Sequence, residues 1–405
     1  MSALTFYQDS RSSNGILRTA AWILVALYIL GFAVSAASRS QSDFVIYRNA
    51  GLAALHRTPI YGSHDPSPFQ YAPIYAVAFI PLGLLPPRAA QLLWFAASMA
   101  LALPMMILGA SRLLFGRAFK PGWELIVIPL LLSIRFIHPN FDHGQINLLL
   151  LAMVVWGLAL ANEAKPVAAG GLLAASMLAK PFALPVIVYL LARRQIVCVF
   201  STMIFIAALV LLPGMLVGSG YAVHQTGGYL TSLTSRTVQR SRDLKNKYNQ
   251  SAAALAVRCF APHGASLASE KVAAASGFGF QCVLTVGVVA WLVFRRRSIA
   301  EEDARLSLAA LFCIAAAFSP ISWIEYYLAL EVPYMALAYI AFCGGETKTF
   351  RARAATLVLS AALILNFCTR LFESALYYGV AYLGSLMVLA AVIVLTTLEG
   401  RQVHT

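Results

Sequence analysis

One carboxylate and a few scattered cations are the groups in this chain whose types and positions could do chemistry. Asp43 lies in the run SDFVIYRNA (42–50), directly after the first long apolar stretch, about 17–37. Only 16 of the 405 residues are acidic, and charged residues make up 11%, well under half the usual share. A carboxylate at the exit of an apolar stretch therefore needs a reason. If the segment faces outward, Asp43 is placed to act as a base at a membrane surface. The structural alternative is a helix cap: Ser42 and Asp43 open a helical pattern, and either can satisfy orphan amides. The two roles are compatible.

Other polar residues fall at comparable boundaries. HPNFDHGQIN (138–147) sets His138, Asp142, His143, Gln145 and Asn147 between two apolar stretches, a density that fits the lining of a site. A solvated loop with Asn140 and Asp142 as caps is the alternative. His138, Asp142 and His143 are metal-ligand types, but their spacing matches no metal motif. No cofactor is expected, and a divalent ion stays an open alternative. Lys180, before Pro181, must reach water or an anion, and a phosphate suits a compact ammonium; snorkelling competes with that reading. In RTVQRSRDLKNKYNQS (236–251) five cations, Arg236, Arg240, Arg242, Lys245 and Lys247, oppose only Asp243. Such a cluster holds phosphate or anionic headgroups, or is a plain solvated face. Asn249 and Gln250 close that run. Glu325 follows SPISW (319–323) and should face a polar cavity, while Trp323 suits either a sugar or an interfacial aromatic belt. Tyr47, Arg48, Tyr61, Asp65 and Tyr71 accompany Asp43 in its segment.

The elements that must position these groups are membrane helices. The chain is 60% hydrophobic with a mean hydropathy of +0.75, more apolar side chain than a soluble domain could hide. Apolar runs recur along its length, so the fold class is an all-α polytopic membrane protein. Spans are expected at about 17–37, 89–110, 122–137, 146–161, 167–180, 181–192, 195–217, 277–294, 306–318, 324–343, 355–372 and 378–397, about twelve in all. An extra piece, 72–86, dips in without crossing, while a rival topology makes it a full span and 167–192 a single one. The net charge of +14 reads as cytoplasmic loop charge, not a nucleic-acid footprint. The six cysteines show no metal or disulfide framework. The basic residues place 38–71, 138–145 and 218–276 outside, within one membrane domain, 1–405. In the first outer loop, 43–56 has apolar residues at Phe44, Tyr47, Ala50-Gly51 and Ala54-Leu55, an amphipathic helix on the membrane surface.

A carboxylate, phosphate-binding cations and aromatic platforms on one membrane face fit transfer of a sugar from a lipid phosphate. A lipid or glycan flippase, and a scaffold without chemistry, are the alternatives. Polar residues gathered toward one face disfavour a transporter, whose site lies near the midplane. SDF with its following tyrosine, FQYAP (69–73), GQIN (144–147), KP (180–181), NQS (249–251) and SPISW (319–323) occur in this order. Together, over about 15–345, they resemble glycosyltransferase family 87, the polyprenol-phosphate-mannose-dependent mannosyltransferases of the GT-C class. The resemblance implies a bundle of transmembrane helices with outer-face amphipathic helices. It implies a polyprenyl-phosphate sugar donor and a glycolipid or envelope-glycan acceptor. It also implies an inverting reaction at the outer face of a bacterial inner membrane, with Asp43 as general base. Lys180, Arg240, Arg242, Lys245 and Lys247 would serve the donor phosphate. Tyr47, Arg48, Tyr71, His138, Asp142, His143, Gln145, Asn147, Asn249, Gln250, Trp323 and Glu325 would serve the substrates. The family's SPxSW motif is commonly followed by a histidine where this chain has Glu325.

Overall fold

In the computed structural model, residues 15–61, 69–235, 242–261, 264–295, 300–343 and 350–397 are described. Every regular element among them is a helix. In chain order these are α1 (Gly15–Ser38), α2 (Ser42–His56), α3 (Pro73–Ala78), α4 (Ile80–Gly83), α5 (Pro87–Ala97), α6 (Leu103–Phe115), α7 (Glu124–Asp142), α8 (Asn147–Asn162), α9 (Pro166–Ala179), α10 (Leu184–Ala192), α11 (Ile196–Val217) and α12 (Ser219–Ser235). They continue as α13 (Ala252–Phe260), α14 (Leu267–Arg295), α15 (Glu301–Ser307), α16 (Ala310–Ala317), α17 (Glu331–Phe342), α18 (Phe350–Leu371), α19 (Glu373–Tyr377) and α20 (Val380–Thr397).

Seven of the described helices are long and apolar enough to cross a bilayer: α1, the continuous Pro87–Phe115, α7, α11, α14, α18 and α20. Three more, Asn147–Asn162, Pro166–Ala179 and Pro181–Ala192, are apolar but shorter. The protein is therefore a multi-pass helical membrane protein. In α1 only 11% of the apolar window is buried by protein, which leaves its surface for lipid.

Several expected elements are broken where the chemistry demands it. The 72–86 piece forms α3 and α4, each far too short to cross. The Pro87–Phe115 helix carries a π-helical turn at Ser98–Ala102, just before Pro104, which has no N–H to continue the ladder. The expected 306–318 span divides into α15 and α16, and 324–343 opens as a 3₁₀ helix, Ile324–Leu330. Pro333 fits only the first turn of an α-helix, so α17 starts at Glu331. Among its described residues the 218–276 segment is largely helical, holding α12, α13 and the start of α14. Three glycines in α12 dilute its helical pattern, yet Tyr221, Gln225 and Tyr229 share one face at i, i+4, i+8 and hold the 58–61 strap.

The chain divides into two compact units. One comprises residues 1–30, 107–137 and 241–405, the other 31–106 and 138–240. In the first, α16, the 3₁₀ helix and α17 are buried almost all round, as the innermost helices of a bundle must be. In the second, α2 packs on α3 and α4. Its buried residues are Phe44, Tyr47, Ala50, Gly51 and Ala54, the face expected from the sequence, while Leu55 is exposed. Gly51 permits that approach, because a Cβ there would lie 2.6 Å from the Phe79 carbonyl oxygen.

Candidate functional site

The second unit holds Asp43 at the start of α2. The first amides of a helix lack intrahelical partners. Here the His143 carbonyl accepts from both the Asp43 and the Phe44 N–H, at 3.0 and 3.2 Å. The N-cap residue is Gln41, and it makes no side-chain cap bond. The half-buried Asp43 carboxylate is thus not a cap. Its Oδ1 accepts from Ser42 Oγ at 3.3 Å.

The link between α1 and α2 is bolted to its surroundings by glutamines that sequence reading missed. Gln91 Nε2 on α5 donates to the Ala36 and Arg39 carbonyls, both at 2.6 Å. Its Oε1 accepts from the Gln41 N–H at 3.3 Å. Gln41 Nε2 donates to the Phe141 carbonyl at 2.6 Å. The segment expected as a loop at 138–145 is helical as far as Asp142, so His138 and Asp142 point from the last turn of α7. They meet α1: the His138 ring lies 5.1 Å from Phe32, and Asp142 accepts from Ser35 Oγ at 2.9 Å.

Tyrosines and a lysine complete this neighbourhood. The Tyr47 and Tyr71 hydroxyls are 2.8 Å apart, and Tyr61 donates to the Tyr71 carbonyl at 2.5 Å. Burial pushes the Tyr71 phenol well above its ordinary range; Tyr47 and then the Asp43 carboxylate push it further, so it stays a neutral donor. Lys180 sits over the Tyr71 ring, its Nζ 5.9 Å from the centroid. It is only 9% exposed, held in extended backbone before Pro181, and it donates to Asn147 Oδ1 at 2.6 Å. Asn147 Nδ2 in turn donates to Gln145 Oε1. GQIN and KP, far apart in sequence, thus meet in one hydrogen-bonded row beside the ring that feels Asp43. Arg48 is engaged elsewhere, donating to the Gly83 and Leu85 carbonyls.

In the first unit the NQS and SPISW motifs pair with each other. Asn249 and Trp323 form an antiparallel bridge, with Gln250 N–H donating to the Ser322 carbonyl at 2.7 Å and Ile324 N–H to the Tyr248 carbonyl at 3.0 Å. Asn249 and Gln250 are fully buried. Asn249 Oδ1 accepts from the Ser322 and Ser251 amides, and Gln250 Nε2 donates to the Leu376 carbonyl. Both side chains therefore have structural work, whatever else they do. Arg258, also missed, is the clamp of this knot. Only 4% exposed, it donates to the carbonyls of Tyr377, Asn246 and Asn249 at 2.8, 2.9 and 2.7 Å.

Two cations of the basic run have carboxylate partners: Lys245 pairs with Glu270, and Lys247 with Glu373. Arg242 is exposed, and Arg236, Arg240 and Asp65 lie outside the described residues. Glu325 is buried at the start of its 3₁₀ helix, and Trp323 is half-buried. Arg135 near the end of α7 lies within electrostatic reach of Glu325, Tyr248 and Arg370. Its sequence signal was available, since an arginine inside an apolar span is rarely idle. Among the described residues, no three His, Cys, Asp or Glu side chains converge as a metal set.

Comparison with known proteins follows the same lines. A polyprenol-phosphate-mannose-dependent α-(1-2)-phosphatidylinositol pentamannoside mannosyltransferase of Mycobacterium tuberculosis is 28% identical over 312 residues, 72% of this chain and 65% of that protein. The chain thus aligns with just under two thirds of that relative's length. A polyprenol-phosphate-mannose-dependent α-(1-2)-phosphatidylinositol mannoside mannosyltransferase of Mycolicibacterium smegmatis is 24% identical over 365 residues, 83% of this chain and 79% of that protein. No solved structure matches the chain. The sequence model of glycosyltransferase family 87 matches residues 69–320, well over half the chain and including FQYAP, GQIN, KP and NQS, and the protein belongs to that family.

Proposed function

We propose that the protein is a membrane mannosyltransferase that moves mannose from a polyprenyl monophosphate to a hydroxyl of a glycolipid, inverting the anomeric centre. The observation that carries this reading is the neighbourhood of Asp43, Tyr71 and Lys180 in one unit, with Lys180 fixed by Asn147. Asp43 takes the proton of the acceptor hydroxyl as its oxygen attacks the anomeric carbon. The bond from that carbon to the phosphate oxygen breaks, and the polyprenyl phosphate leaves as an anion. Lys180, a buried cation aimed by its bond to Asn147, stabilises the charge that grows on the phosphate. The Tyr71 phenol, kept neutral by burial, donates to a sugar or phosphate oxygen.

The named activities of the mycobacterial relatives support mannose as the sugar and a phosphatidylinositol mannoside as the acceptor class. The setting is the bacterial cytoplasmic membrane with the reaction at its outer face. The test is transfer by the purified full-length chain in lipid nanodiscs, with polyprenyl-phosphate mannose and a phosphatidylinositol mannoside. Asp43→Asn should lower kcat by about 10²- to 10⁴-fold, the usual contribution of a general base. Wild-type turnover by that variant would rule out the base assignment.

A further inference from the structure

The way α2 begins gives the Asp43 carboxylate two companions, Ser42 and His143. Because the His143 carbonyl satisfies the Asp43 and Phe44 amides, which a capping side chain would otherwise serve, no side chain is required there as a cap. The same contact brings the His143 ring beside Ser42: Nδ1 lies 3.0 Å from Ser42 Oγ, which lies 3.3 Å from Asp43 Oδ1. The turn that presents the ring is held from two sides. Trp94 Nε1 donates to the Gly144 carbonyl at 2.8 Å. Gly144 itself has φ +68°, and a Cβ on it would lie 2.8 Å from both Gln41 Oε1 and Phe44 Cβ. The ring therefore sits on a turn pressed directly against the start of α2.

We infer that His143 and Ser42 are positioning residues that orient the Asp43 carboxylate for proton abstraction. The hydroxyl has one proton, which it gives to Asp43 Oδ1. Its oxygen then accepts from His143, which fixes the imidazole as the Nδ1–H tautomer. The row runs His143 Nδ1–H to Ser42 Oγ–H to Asp43 Oδ1, and leaves Oδ2 to receive the acceptor's proton. Other charged groups around the row have their own engagements. Asp142 accepts from Ser35, Arg48 and Arg88 donate to backbone carbonyls, and Lys180 donates to Asn147. This inference rests on Asp43 being the base, so its test separates the two.

The experiment is steady-state transfer by the full-length chain in nanodiscs, with polyprenyl-phosphate mannose and a phosphatidylinositol mannoside. The variants are Ser42→Ala, Ser42→Thr, His143→Ala, His143→Asn, Asp43→Asn and the Ser42→Ala/Asp43→Asn pair. The backbone clamp uses the carbonyl of residue 143, which every side chain leaves in place, so the His143 variants should fold. Matching wild-type melting temperatures would confirm it.

Ser42→Ala and His143→Ala should each lower kcat by about 5- to 30-fold, the range for an exposed hydrogen bond to a charged group, with donor KM within about twofold. Ser42→Thr keeps the hydroxyl, and His143→Asn places an N–H near the Nδ1 position. Both should recover to within about threefold of wild type. In the Asp43→Asn background Ser42→Ala should add almost nothing, since residues acting as one unit are not additive. If Asp43→Asn is slowed as expected while His143→Asn is as slow as His143→Ala, or while the pair is additive, the positioning roles fall and the base stands. If Asp43→Asn turns over normally, the base assignment falls and the positioning roles with it.

Discussion

Replacing Gln91 by Leu should loosen the frame that carries Asp43, and its magnitude can be worked from the hydrogen bonds. The last carbonyls of α1 have no partner within their own helix. Gln91, reaching across from α5, supplies a donor to Ala36 and another to Arg39, and accepts from the Gln41 amide. Ala36 and Gln41 are 3% and 1% exposed, so water cannot replace the lost partner at either, whereas Arg39 is exposed and can be rehydrated. Two buried backbone groups left unsatisfied cost about 1–3 kcal/mol each, roughly 2–5 kcal/mol together once the apolar gain of Leu is offset. For a chain of 405 residues about 1 kcal/mol shifts the midpoint by little more than 1 °C, so the apparent melting temperature should fall by about 2–6 °C. The assay is thermal unfolding of the purified chain in detergent at a fixed scan rate, because unfolding of such proteins is often irreversible. Gln91→Glu is the control: it keeps the length but loses both donors, and should be no better than Leu. A Gln91→Leu chain melting within about 1 °C of wild type would refute the reasoning.

Three further perturbations test other parts of the molecule. Lys180→Met should lower kcat by about 10²- to 10³-fold, the usual effect of removing one donor from a developing anion, with little loss of melting temperature because a buried charge is removed as well; a kcat within threefold of wild type would remove Lys180 from the phosphate. Arg258→Met strips donors from three buried or half-buried carbonyls, so it should expose the 242–250 segment to protease many-fold faster than wild type; unchanged proteolysis would show that the clamp is dispensable. Glu331 is fully buried and, among the described residues, neither of its carboxyl oxygens has a hydrogen-bond partner. An ionised carboxylate there is expensive, so Glu331→Gln should melt at or above the wild-type temperature; a fall of more than about 3 °C would mean the charge has a stabilising role.

Composition and apolar run length alone pointed to a multi-pass helical membrane protein, because a continuous apolar run of helix-spanning length satisfies its own backbone in lipid as a helix, whereas barrel strands are shorter and alternate. The period of 43–56 gave the buried face of α2 except Leu55, which is exposed, though the face packs on α3 and α4 where a membrane surface was expected, and six short motifs in order pointed to the family. What local pattern could not carry was the choice of partner across the chain. NQS and SPISW read as two site motifs, yet they form one bridge whose side chains serve backbone groups some seventy residues away. Asp43 read equally well as a cap or a base. Only the tertiary structure separated these, by bringing the His143 carbonyl to the amides that a cap would have served. Gln91 and Arg258 carried no signal at all, since a polar side chain in an apolar helix reveals its use only when the carbonyls it reaches are in place. Residue type and spacing determine which groups can do chemistry; which of them are free to do it depends on who satisfies the backbone around them, and that is settled in three dimensions.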